Sequence, residues 1–125
     1  MKIRIKGNSL RLRLTKTEVS ALAEFGKVEE STQFPHGNEL IYRLQANPTS
    51  TNSAAFSNSE IIISVPHLWA KEWAVNEEVG NDFNVVSGAE SLHVLIEKDF
   101  NCLTPRAGEN EEDQFKNPLT SHTKC

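Results

Sequence analysis

Residues 2–14, Lys-Ile-Arg-Ile-Lys-Gly-Asn-Ser-Leu-Arg-Leu-Arg-Leu, alternate apolar and basic side chains on either side of a Gly-Asn pair. A period of two puts Ile3, Ile5, Leu10, Leu12 and Leu14 on one face of a strand pair. Lys2, Arg4, Lys6, Arg11 and Arg13 fall on the other. Gly7-Asn8 suits the positive φ of a two-residue loop, so the two strands pair antiparallel. Six of the thirteen Lys and Arg residues lie in the first sixteen positions, and no acid precedes Glu18.

The next segment opens with Thr15 and Glu18 at capping-box spacing, in which hydroxyl and carboxylate each satisfy a free backbone N–H. Val19, Leu22 and Ala23 then form an apolar helical stripe that Gly26 closes in the left-handed region. Residues 27–34 and 38–45 read as a hairpin around Pro35-His36-Gly37, with Leu40, Tyr42 and Leu44 on one face.

This order returns from Glu60, without its first strand. Residues 60–65 are a β-branched run, apolar on both faces as in a central strand. Pro66 suits the first position of a helix carrying Leu68, Trp69 and Trp73. Residues 77–86 and 91–100 form another strand pair around Ser87-Gly88. A shift of 51 positions lays Leu14 on Val65, Leu22 on Trp73 and Val28 on Val79, with Leu40 near Leu92 after one insertion.

The fold class expected is therefore α+β, a single domain over 1–102 in which two similar strand-helix-strand-strand units, 1–45 and 60–102, build a mainly antiparallel sheet packed on two helices. Residues 46–59, small and polar without period, read as a linker. Residues 103–125 are acidic and contain two prolines; they read as a disordered tail, or as a strap pinned by Leu103, Phe115 and Leu119. Such a strap could carry Glu109, Glu111, Glu112 and Asp113 to the basic hairpin as a mask. A chain of 125 residues can close one core, burying about 65% of its unfolded surface.

The first unit, with Gly7-Asn8-Ser9-Leu10 leading into a strand and then a helix, resembles the swapped-hairpin DNA-binding domains of bacterial transition-state regulators and antitoxins of the AbrB and MazE type. Those domains usually have proline where the second strand meets the helix; here Thr15 stands there, and Val65-Pro66 occupies the matching point of the second unit. The start from Ile3 to Leu14, together with Glu97-Lys98-Asp99-Phe100 and Cys102-Leu103, resembles a family of short uncharacterised bacterial proteins. That likeness spans most of the chain, implies a bacterial cytosolic protein, and carries no functional residue with it.

No glycine-rich phosphate loop, zinc-spaced cysteine pairs, His-Glu-x-x-His or Gly-x-Ser-x-Gly elbow is present. The reading is thus a small binding or interaction module without catalytic activity and without a cofactor. One alternative is recognition of nucleic acid or another polyanion by Lys2, Arg4, Lys6, Arg11 and Arg13. Against it stand the absence of an interleaved aromatic for stacking and the chain beyond residue 16, with seven cations against seventeen acids. The competing account of the same residues is an ion-paired surface, covered by Glu29 and Glu30 or by the acidic tail.

A second alternative gathers His36, Asp99 and Cys102 as a thiol or metal site. Against it, His36, His67 and His93 occupy ordinary turn, helix and strand positions, and a lone cysteine is more often a small buried hydrophobe. His122 and Cys125 form a two-ligand tail that needs a partner to complete a site. Cys102 and Cys125 sit where a bridge would close only a short tail, so both read as reduced thiols.

Net charge is −4 and pI about 5.6. With no signal-peptide pattern and no apolar run of about 18 residues, the expectation is a cytoplasmic protein with no membrane partner. The partner is an unknown protein or a polyanion. An exposed strand edge would favour a homodimer.

Overall fold

The computed structural model describes residues 1–100 and 113–115. Its elements are β1 (Lys2–Lys6), β2 (Ser9–Leu14), α1 (Lys16–Phe25), β3 (Lys27–Gln33), β4 (Glu39–Asn47), β5 (Ser53–Ser57), β6 (Glu60–Pro66), α2 (His67–Val75), β7 (Gly80–Ser87) and β8 (Glu90–Lys98). The order strand, strand, helix, strand, strand occurs twice. The α+β class stands, and the second unit possesses the first strand that its sequence conceals.

The eight strands form two four-stranded sheets, β1-β2-β8-β7 (sheet A) and β3-β4-β6-β5 (sheet B). Each sheet takes one hairpin from each unit. In sheet A the antiparallel pairs β1·β2 and β7·β8 are joined by parallel pairing of β2 with β8, Leu10 beside Val94 and Leu12 beside Ile96. In sheet B the parallel seam joins β4 to β6, Leu44 beside Ile63 and Ala46 beside Val65. The units have exchanged hairpins, so both sheets are mixed. The sheets meet where the Tyr42 hydroxyl donates to the Met1 carbonyl at 3.2 Å.

The exchange merges the two units into one core. Leu10, Leu12, Leu14, Val19, Leu22, Val28 and Leu44 from the first half cluster with Ile63, Val65, Ala70, Trp73, Val94 and Ile96 from the second. Helices α1 and α2 pack against each other beside this cluster. The 51-residue correspondence is physical at Leu14 and Val65 and at Leu22 and Trp73, all four fully buried. Trp69 stacks on Trp73 with ring centroids 4.8 Å apart, and Trp73 Nε1 donates to the Glu78 carbonyl at 3.1 Å. This helix face fills the interior.

Local signals hold at α1. The Thr15 hydroxyl accepts from the Glu18 N–H, the Glu18 carboxylate accepts from the Thr15 N–H, and Gly26 ends the helix at φ 84°. Pro66 instead closes β6 and stands one place ahead of the helix, with extended ψ 136°. The apparent linker 46–59 also differs from expectation. It contains the end of β4 and all of β5, whose Ala54 and Ala55 give too little apolar contrast to mark a strand.

The loop between β5 and β6 is Asn58-Ser59, at φ 51° and 62°, where the first hairpin uses Gly7 at 53°. Val79 does not match Val28. It is 48% exposed and precedes β7, which starts at Gly80, a position where only glycine fits because a Cβ would lie 1.8 Å from the Ile96 carbonyl oxygen. The residue opposite Ile96, as Val28 is opposite Leu44, is Asn81.

Candidate polyanion-binding face

The inward leucines of β2 leave its arginines on the outer face of sheet A. The β1·β2 register sets Arg4 directly opposite Arg11, Lys2 opposite Arg13, and Lys6 opposite Ser9. Like charges in opposed positions destabilise a strand pair. One carboxylate relieves part of that repulsion. Glu97 of β8, paired with Arg13 across the parallel seam, receives Arg11 Nε at 2.6 Å, Arg11 Nη2 at 2.5 Å and Arg13 Nε at 2.8 Å, all on Oε1.

Glu97 is 13% exposed, against 34% for Arg11 and 27% for Arg13, so this knot is only partly screened by water. Lys2 Nζ stands 3.4 Å from the Asp99 carboxylate. Arg4 and Lys6 are exposed, and no carboxylate among the described residues pairs with either. The ion-paired account therefore holds for part of the hairpin, with Glu97 and Asp99 as acids in place of Glu29 and Glu30.

Glu29 belongs to the other sheet. There Arg43 Nε meets Glu29 at 2.6 Å and Arg43 Nη2 meets Glu60 at 2.9 Å, and the Glu29 hydrogen bond raises the arginine's pKa.

Beside the free cations lies an open concavity of about 290 Å³, lined by Arg4, Lys6, Ser9, Arg11, His93 and Leu95 with the edge of Leu10. His93 comes from β8, across the parallel seam from Ser9. Its Nε2 is 3.4 Å from Asp82 of β7, the acid on the far side of the face. The arrangement can hold an anion between two or three cations and a ring nitrogen, with a hydroxyl at hand. Among the described residues it holds no nucleophile hydrogen-bonded to a neighbouring base.

The family model for DUF7009, a family of unknown function, matches residues 1–119. The chain belongs to that family. No curated protein and no solved structure matches it. Family membership thus agrees with the likeness carried by residues 3–14 and 97–103, and it assigns no role to any residue of the basic face.

The thiol or metal grouping is not assembled among the described residues. His36 is exposed in the turn between β3 and β4 at φ 68°, whereas Asp99 follows β8 in sheet A. No hydrogen bond or ion pair joins them. Asp99 is buried, its N–H donating to Leu14 O at 2.8 Å and its carboxylate accepting from Gln114 Nε2 at 3.3 Å. Cys102, His122 and Cys125 lie outside the described residues, as do Glu109, Glu111 and Glu112.

Asp113 is described, and it is engaged away from the basic hairpin. Its carbonyl accepts from Lys16 N at 2.9 Å, and its carboxylate from Thr17 N at 3.1 Å and Thr17 Oγ1 at 2.8 Å. These are free N–H groups of the α1 N-terminus, and hydrogen bonds from Thr15 and Thr17 hold the Asp113 carboxyl below its usual pKa. Phe115 packs edge-on against Phe100 at 5.9 Å. Residues 113–115 are thus docked on the body, at the start of α1 and at Phe100; Leu103 and Leu119, the other expected pins, lie outside the described residues.

Sequence reasoning passed over Lys98. Its strand parity turns it inward, where it is 5% exposed, and its ammonium donates to Asn76 O at 2.7 Å. It lies 5.9 Å from the Trp73 ring centroid and 5.1 Å from that of Phe115. Burial lowers its pKa, opposed by Glu77 and Glu78. The signal was its place in the Val94, Ile96, Lys98 alternation. Among the described residues no helix is long and apolar enough to cross a membrane.

Proposed function

We propose that this protein is a binding module that takes a phosphate-bearing polyanion on the outer face of sheet A. The observation that carries the reading is the pairing state of the hairpin. Arg4 and Lys6 stand free of carboxylates among the described residues, beside an open concavity, while Arg11 and Arg13 share one oxygen of Glu97.

A row of cations on a two-stranded ribbon fits the spacing of phosphates along a chain, and charge of this kind contributes affinity without sequence reading. The exchange of hairpins between the two units supports the likeness of residues 1–45 to swapped-hairpin domains. The absence of an aromatic on this face among the described residues favours a duplex or another stiff polyanion over a single strand, which binds by base stacking.

The test is a titration of labelled duplex DNA, single-stranded DNA and RNA at low and moderate salt, with the variant Arg4→Ala/Lys6→Ala alongside. The expected result is salt-sensitive binding of duplex that the variant loses. Binding that is absent at low salt, or unchanged in the variant, removes the reading and leaves a protein as the partner.

A further inference from the structure

The four outer edges of the two sheets differ in one respect. Edge strands are ordinarily guarded against pairing with another chain by charge, proline or distortion. β1 presents Lys2, Arg4 and Lys6; β3 presents Lys27, Glu29 and Glu30; β7 carries Asp82 between Asn81 and Asn84, residues that disfavour strands. β5, Ser53-Ala54-Ala55-Phe56-Ser57, carries no charge and no proline. Ser53, Ala55, Phe56 and Ser57 are exposed, Phe56 by 71%. The contact of Asn81 Nδ2 with Asn52 Oδ1 at 3.5 Å lies ahead of the strand.

We infer that β5 is a dimerisation edge, on which a second copy of this chain adds its own β5 antiparallel. Three features select a second copy. The first is the near-palindromic order of the strand. Centred on Ala55, antiparallel pairing sets Ser53 opposite Ser57 of the second copy, Ala54 opposite Phe56, and Ala55 opposite Ala55. Every large side chain then meets a small one, and each exposed Phe56 ring covers the Ala54 of the other chain.

The second feature is charge. A two-fold axis through Ala55 brings no like charges together, whereas the same operation on β1 would face Arg4 with Arg4 and Lys2 with Lys6.

The third is hydrogen-bond phase. The two-residue loop Asn58-Ser59 makes Ser57 and Glu60 a hydrogen-bonded pair, and the alternation makes Ala55 with Ile62 another. The N–H and C=O groups of Ala54 and Phe56 therefore point to the open edge. In the register centred on Ala55, those are the groups that must exchange bonds between copies, four in all. Sheet B becomes one half of a continuous eight-stranded sheet with closed cyclic symmetry.

Ala55 faces its own symmetry mate at a non-hydrogen-bonded site, where Cα atoms stand about 4.5 Å apart, within disulfide range. The test uses the full chain. Sedimentation velocity should show a concentration-dependent dimer, and Ala55→Lys, which opposes two ammonium groups across the axis, should raise the dimer dissociation constant at least about tenfold with the far-UV spectrum unchanged. In a Cys102→Ser/Cys125→Ser background, mild oxidation should link Ala55→Cys into a covalent dimer and leave Ser57→Cys, which faces Ser53 of the second copy, unlinked.

Cross-linking decides the matter if Ala55→Lys fails to fold. A monomer at all accessible concentrations, a dimer that survives in folded Ala55→Lys, or linking of Ser57→Cys in place of Ala55→Cys would overturn the inference.

Discussion

Sheets A and B share one topology and one core, yet their outer faces have almost nothing in common. At positions 51 apart, Arg4 corresponds to Ala55, Lys6 to Ser57, Arg11 to Ile62 and Arg13 to Ser64. Inward, Leu14 corresponds to Val65 and Leu12 to Ile63, all buried. Packing density constrains the inner positions of both hairpins alike, because a lost methylene there leaves a cavity. The outer positions are less constrained, although Ser64 is buried and accepts from Gln45 Nε2 at 3.1 Å. One face gathered cations and the other stayed near neutral, with Arg43 held between Glu29 and Glu60.

The largest effects should come from attacking what the halves share. Trp73→Ala is expected to cost about 3–5 kcal/mol and its counterpart Leu22→Ala about 2–5 kcal/mol. Because each sheet is built from both units, either variant should lower a single unfolding transition. Denaturant titrations followed by tryptophan fluorescence and by far-UV circular dichroism should coincide. Two separated transitions would mean that the halves fold independently and that the exchange is not the organising feature.

Next in size is the contrast between the faces. Arg4→Ala with Lys6→Ala should lower duplex affinity and reduce the steepness of log K against log salt by about 2. Lys27→Ala with Arg43→Gln on sheet B should leave both unchanged. Equal losses on the two faces would dissolve the distinction and point to diffuse attraction.

A smaller effect of opposite sign is expected at Glu97. Glu97→Gln frees Arg11 and Arg13 from their shared carboxylate and should tighten polyanion binding by roughly fivefold, equivalent to about 1 kcal/mol. Weaker binding in that variant would mean that Glu97 positions the arginines for the ligand.

The smallest effect concerns Asp113, which has no counterpart at α2, where Pro66 offers no side-chain cap. Asp113→Asn should cost about 0.5–1 kcal/mol, the low end for a capping group in contact with solvent. Since its folded pKa lies below its unfolded one, this stability is present above the ordinary carboxylate pKa and is lost as pH falls through the folded value. Thermal melts of both proteins in neutral buffer and in buffer acid enough to protonate Asp113 in the folded state should converge at the lower pH.

Much of the local structure was legible. The β1 and β2 alternation, the Thr15 and Glu18 box and the Gly26 terminator depend on neighbours within about five residues, and each appears in the fold; the 51-residue shift holds at Leu14 with Val65 and Leu22 with Trp73 and fails at Val28 with Val79. β5 was missed because alanine and serine carry little apolar contrast. Its strand state comes from pairing with Ile61, Ile62 and Ile63. Of the candidate site, the five basic residues and their common face were legible, but their pairing was not. Glu97 is 86 positions from Arg11, and no pattern in either segment announces the other.

The sequence by itself determined the elements other than β5, the inward leucines and outward arginines of β2, and the concentration of positive charge in one hairpin, since these follow from short-range sterics and side-chain parity. Tertiary structure alone decided that the hairpins exchange, that β2 and β4 pair in parallel with strands of the other unit, and that Lys98 is buried against Trp73 and Phe115. It also decided which cations of the basic face remain unneutralised. Long-range pairing is set by how two amphipathic units jointly remove their apolar faces from water, a requirement that belongs to the assembled chain and to no segment of it.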